Sequence, residues 1–126
     1  MKLSDYVAQC LERNGVGVAF AVTGGASLHL IHSLAHTHGV KVIFPQHEQA
    51  AAMAADGYAR ATGGLSVAIA TSGPGATNLL TGVCGAYYDS VPLLLLTGQV
   101  ATFRMSTGMG VRQMGFQESP TTEIFK

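Results

Sequence analysis

The chain has 126 residues, enough for one domain with a core of ordinary size. Seven basic residues balance seven acidic ones and only 11% of the chain is charged, which excludes the basic patch of a nucleic-acid binder and any polybasic membrane anchor. The longest apolar run, VPLLLL at 91–96, is far below the roughly 20 residues that span a bilayer, and the N-terminal MKLSDYVAQC lacks the apolar core of a secretion signal.

In chain order, residues 4–14 read as an amphipathic helix, with Ser4 as N-cap and Asn14-Gly15 as the stop. VGVAFAV at 16–22 is apolar and β-branched, a buried strand broken by TGGAS, where Ser27 is placed to cap a helix with Leu28, Ile31, Leu34 and Ala35 inward. A second strand, VKVIF at 40–44, closes on Pro45. Glu48 then opens a helix of alanines and Met53 that runs to about Thr62 and ends at Gly63-Gly64. LSVAIA at 65–70 is a third strand, TSGPGA a turn, 77–88 a helix and 91–96 a fourth strand. From Ala101 to Gln117 no period is visible, and the stretch reads as a loop able to reach a ligand.

Continuous apolar strands alternating with helices predict an α/β fold, a three-layer α/β/α parallel sheet of flavodoxin-like type. Ligands of such sheets bind beyond the carboxyl ends of the strands, where TGGAS, PQHEQ and TSGPGATN all fall. The fourth strand is the last that the periodicity identifies, so the sheet is expected to be incomplete at the C-terminus.

Glu48 is the residue that asks for an explanation. A carboxylate in the first helical turn is favoured by the macrodipole whether or not it has chemistry to do. Here it stands at the ligand edge on a helix of Ala50, Ala51, Ala52, Ala54 and Ala55, small enough for another surface to approach closely. A carboxyl drawn into a dry site of that kind favours its protonated form and can hydrogen-bond a ligand nitrogen. The glycine turns admit two readings, a phosphate cradle or a tight β-α connection. Neither holds a Walker lysine or a dinucleotide fingerprint, and Pro74 removes one amide from its turn. His29, His32 and His36 share one helical face, read as solvated; His38 reads as a C-terminal dipole partner, and His47 as site lining or part of the helix start. Cys10 and Cys84 make neither a disulfide framework nor a zinc motif, and a reducing, cytoplasmic compartment is the default. No residue is assigned to a metal.

Taken together and in order, AVTGGAS, PQHEQAAAMAADGYARATG, ATSGPGATN, YDSVPLLLLTGQV and GFQES resemble the thiamine diphosphate enzymes, specifically the N-terminal pyrimidine-binding domain of the acetolactate synthase group, over nearly the whole chain. The resemblance implies one pyrimidine-binding domain over 1–126, an N-terminal fragment of a longer enzyme that is inactive alone. It implies thiamine diphosphate as cofactor, with magnesium held through a diphosphate-binding domain absent here. Some members bind FAD, which these residues do not indicate. The implied activity is a transferase or lyase reaction, carboligation or decarboxylation of a 2-oxo acid such as pyruvate, in a homodimer or homotetramer whose active site is shared between subunits. Glu48 matches the activating glutamate, which shares a proton with a pyrimidine nitrogen. Thr71, Pro74 and Asn78 match residues lining the pyrimidine, and Gly24 and Gly25 the glycine loop near the thiazolium. Gln117 matches the glutamine of the family's FQE stretch, and Gly25, Phe116 and Gln117 would face substrate. Val22-Thr23 stands where acetolactate synthases usually have Tyr-Pro, pointing to a relative with another donor or acceptor. The alternative reading is a non-catalytic module that binds a nucleotide or cofactor, or supports assembly.

Overall fold

A computed structural model describes all 126 residues. Four strands, β1 (Val18–Ala21), β2 (Lys41–Ile43), β3 (Ser66–Ala70) and β4 (Leu93–Thr97), form one sheet in the order β2-β1-β3-β4, every neighbouring pair parallel. Helices α1 (Leu3–Arg13) and α2 (Leu28–Ala35) cover one face, where Ala8, Leu11, Ile31 and Leu34 pack on Ala19, Ala21, Val67 and Ile69. Helices α3 (Glu48–Thr62) and α5 (Leu80–Tyr88) lie on the other side, whose core joins Ala51, Ala52, Ala55 and Leu79 to Phe20, Ala68 and Ala70. Alternate residues of β1 and β3 thus enter opposite cores, as the pleat requires. The expected three-layer α/β/α arrangement is the one observed. No helix is long and apolar enough to cross a membrane.

The α3 side of the core is thin because its side chains are methyls. The stripe of alanines brings the helix close to both β3 and α5. The helix ends at Gly63, in the left-handed conformation, with its N–H bonded to the Ala59 carbonyl. Its last turn is tied to α5 by Arg60, which bonds Asp56 on its own helix and Asp89 just past α5.

Several local expectations change. Ser4 does not cap α1: the cap is Lys2, whose backbone N–H donates to Asp5 at 3.2 Å, and Ser4 lies inside the first turn with its Oγ 2.9 Å from that of Ser33. Ser27 makes no capping bond, because its hydroxyl turns back to donate to the Gly24 carbonyl. The helix expected over 77–88 starts earlier and is broken into a single turn, α4 (Pro74–Thr77), followed by α5. Proline explains the early start, since its φ suits a first helical turn and it lacks only an N–H that would be unpaired there. His38 lies beyond α2; His36 takes the C-cap position instead, its Nδ1 2.8 Å from the His32 carbonyl and its ring stacked on that of His32.

Strand β4 forms one edge of the sheet, and Leu93, Leu94, Leu95 and Leu96 stay half-buried along it. An apolar groove of about 210 Å³, lined by Val83, Ala86, Tyr87, Val91, Leu93 and Leu95, runs along its α5 side. At the amino end of β3, Ser66 is fully buried and its hydroxyl has no hydrogen-bond partner. A buried hydroxyl without a partner costs free energy that a methyl does not. Ser66→Ala is therefore expected to raise stability by about 1 kcal/mol, read as a higher midpoint in urea with unchanged slope.

Candidate functional site

Strand order reverses between β1 and β3, whose chains leave the sheet in opposite directions and open a crevice beyond their carboxyl ends. Two turns meet there. Gly24 passes so close to Thr71 that a β-carbon on it would overlap the threonine side chain, and the next turn is fixed by the Ala26 N–H donating to Thr71 Oγ1 at 3.3 Å. Gly24 is extended, so room and not backbone freedom decides this position.

Glu48 enters from the neighbouring loop. His47, the N-cap of α3, accepts the Gln49 N–H on its Nδ1 at 3.1 Å, so its observed role is the helix start. That cap sets the first turn, and Glu48 projects from it toward the turn after β3. Its Oε2 accepts a hydrogen bond from Asn78 Nδ2 at 2.9 Å. Its Oε1 lies 3.3 Å from the point a β-carbon on Gly75 would occupy, and the Thr71 methyl lies 2.8 Å from that same point. Glu48, Thr71, Gly75 and Asn78, from two loops and 30 residues apart at their widest hydrogen bond, converge on one small volume.

The carboxylate is half-buried. The alanine helix does not itself make the site dry: Ala51, Ala52 and Ala55 turn into the sheet and α5, Ala50 is exposed and Ala54 half-buried. The surface that approaches the alanines is α5 of the same chain, at Gly82 against Ala52.

The remaining expected site residues spread over an adjoining groove of about 560 Å³, which Gly25, Thr71, Phe116 and Gln117 line together with His29 and Arg104. Gly25 has open space around its α-carbon, and Phe116 is 82% exposed. Gln117 is half-buried with φ +57°, and its carbonyl lies against Gly73 in the turn before α4. Pro74 opens α4 and is exposed. The structure thus brings Glu48, Thr71, Asn78 and Gly24 together, places Gly25, Phe116 and Gln117 beside them, and leaves Pro74 on the rim.

Sequence reasoning missed Glu118. This carboxylate accepts N–H bonds from Ser106, Met114 and Gly115, at 2.7, 2.9 and 3.2 Å, and the Ser106 hydroxyl at 2.8 Å. It gathers the aperiodic segment that carries Arg104 and Phe116 into one loop. The GFQES run contains it, but nothing in the spacing shows that its partners are backbone amides. Those amides hold its pKa down, from the ordinary 4.5 to about 2. The ionised form is favoured in the folded loop, so the contribution is complete above about pH 4.5 and is lost as pH falls toward about 2. Protection of the Ser106, Met114 and Gly115 amides in hydrogen exchange should therefore fall across that acid window, and Glu118→Gln should lower it at neutral pH.

Comparison with known proteins matches residues 1–123 to the family model "Thiamine pyrophosphate enzyme, N-terminal TPP binding domain". The chain is 46% identical over 123 residues, 98% of its length, to "Acetolactate synthase 2, chloroplastic" of Nicotiana tabacum, of which it covers 18%. It is 42% identical over 121 residues, 96% of its length, to the acetolactate synthase large subunit of Lactococcus lactis, covering 20% of it. Against the probable acetolactate synthase large subunit of Methanocaldococcus jannaschii the figures are 49% over 102 residues, 81% of this chain and 17% of that one. The chain spans about a fifth of the length of these curated relatives.

Proposed function

The chain belongs to the thiamine pyrophosphate enzymes, matching their N-terminal TPP binding domain, and on that premise we propose that residues 1–126 bind the aminopyrimidine of thiamine diphosphate and present Glu48 to it. The observation that carries this reading is the Glu48 carboxylate at the meeting of two glycine turns, one oxygen held by Asn78 and the other without a hydrogen-bond partner beside Gly75. Gly75 lets the turn pass so close to Glu48 and the Thr71 methyl that a β-carbon would clash, which holds the acid at the ligand edge. An acid with one free oxygen there meets a ring nitrogen with the group that can give or take one proton.

When bound, the cofactor supplies the electron sink for decarboxylating a 2-oxo acid and passing the acyl remainder to a second carbonyl compound. The chain's own part is to orient the ring and to hold a proton at Glu48 Oε1. Because Glu48 is half-buried in this chain, the water exclusion such a relay needs comes from protein packed over the loops. We assign that cover, with the groups that hold diphosphate and magnesium, to protein outside residues 1–126, supplied within a homodimer or homotetramer. The substrate is a 2-oxo acid such as pyruvate, in an acetolactate synthase-like carboligation or decarboxylation. The names and extents of the relatives support this.

Calorimetric titration of the full-length protein that carries this chain tests the reading. Thiamine diphosphate with magnesium should bind saturably, and ADP with magnesium should not. Preference for the nucleotide would replace this proposal with a nucleotide-binding module.

A further inference from the structure

We propose that Asn78 is a positioning residue that acts through Glu48: it fixes which carboxylate oxygen carries the exchangeable proton. Resemblance alone would place Asn78 against the pyrimidine. In the structure its amide donates to Glu48 Oε2, at 2.9 Å. An ionised carboxylate only accepts, so the amide must present Nδ2 to it, and Oδ1 is turned the other way. Asn78 is itself held, as the C-cap of α4, by its backbone N–H bonded to the Pro74 carbonyl at 3.0 Å. The turn TSGPGATN thereby grips the glutamate of another loop.

This contact removes an ambiguity that a carboxyl otherwise has. Either oxygen of a free glutamate takes a proton equally well, and the side chain rotates between them. With Oε2 accepting from Asn78, a proton on Oε2 would face an N–H donor and be disfavoured. The proton therefore resides on Oε1, the oxygen that lies beside Gly75 and makes no hydrogen bond within the chain. Asn78 Nδ2 donates to Oε2 whether Oε1 is protonated or not, so the grip persists through a proton transfer. Loss of the grip would leave the acid present but poorly aimed, and misplacement of that kind costs about 10- to 100-fold in rate.

The inference rests on the proposed role of Glu48, and the test separates the two. In the full-length protein, Asn78→Ala should lower kcat about 10- to 100-fold while the Kd for thiamine diphosphate, titrated into unloaded protein with magnesium, changes less than threefold. In a Glu48→Gln background the same substitution should cost less than twofold more, because there is no longer a carboxyl to aim. Asn78→Asp keeps the shape and guards against misfolding of the alanine variant. It places two carboxyls side by side sharing a proton, so the rising limb of the pH–kcat profile should move up by about one pH unit or more. If Asn78→Ala leaves kcat within twofold, or its loss adds in full to that of Glu48→Gln, or cofactor binding weakens tenfold, Asn78 does not act through Glu48. If Glu48→Gln itself keeps full turnover, the function proposed for Glu48 fails first and this inference with it.

Discussion

Glu48→Gln should lower turnover of the full-length protein by about 10²- to 10⁴-fold while thiamine diphosphate still binds, the range expected when a general acid–base group is removed. Glutamine keeps the length and shape of the side chain and the start of α3. It loses one charge from the first helical turn, worth about 0.3–1 kcal/mol of stability. Asn78 constrains the outcome further. Its Nδ2 now faces Glu48 Oε2, so a glutamine there would turn its own carbonyl oxygen to Asn78 and its NH₂ to the side where Oε1 stands. A group that only donates would then stand where a proton must be both given and taken. Single-turnover rates and a calorimetric Kd measured on one preparation separate lost chemistry from lost binding. Unchanged turnover would remove Glu48 from the mechanism.

The largest effect expected on the fold comes from one methyl group. Gly82 of α5 lies so close to Ala52 of α3 that a β-carbon there would overlap the alanine's own, with the Ala52 backbone 3.3 Å away. Alanine in a helix is ordinarily better than glycine by about 1 kcal/mol. At this position the gain is outweighed, since neither partner is a flexible side chain that could step aside. The two helices must separate, at an overpacking cost of about 1–3 kcal/mol. Gly85, one turn along the same helix, has open space around it, and Gly85→Ala should gain about 0.5–1 kcal/mol. Urea midpoints of the two variants should therefore move in opposite directions. Gly82→Ala should also lower kcat, because α3 carries Glu48 at its start and moves as a body.

That contrast shows what a sequence carries and what it does not. Strand and helix periods are local, and the α/β order, the three layers and the ligand edge follow from them. The alanines after Glu48 signalled a close approach but not from what: Gly82 is 30 residues from Ala52 in sequence, and only the folded chain pairs them. Glu48 was legible from its place after a strand and before an apolar helix, whereas its bond to Asn78 was not, since resemblance placed Asn78 against the ring. Glu118 stayed hidden for another reason. Its partners are main-chain amides, which every residue but proline has, so no pattern of side chains announces them. The early start of α4 was within reach, as Pro74 suits a first helical turn.

Strand β4, with four half-buried leucines and no strand on its outer side, has a bearing on how this polypeptide behaves in the test tube. Its free amide and carbonyl groups form an open seam, and a seam flanked by apolar side chains is a template for any extended segment that drifts past. Produced by itself at high concentration, the 126-residue polypeptide would recruit further copies along that line and come out of solution while each copy is still folded.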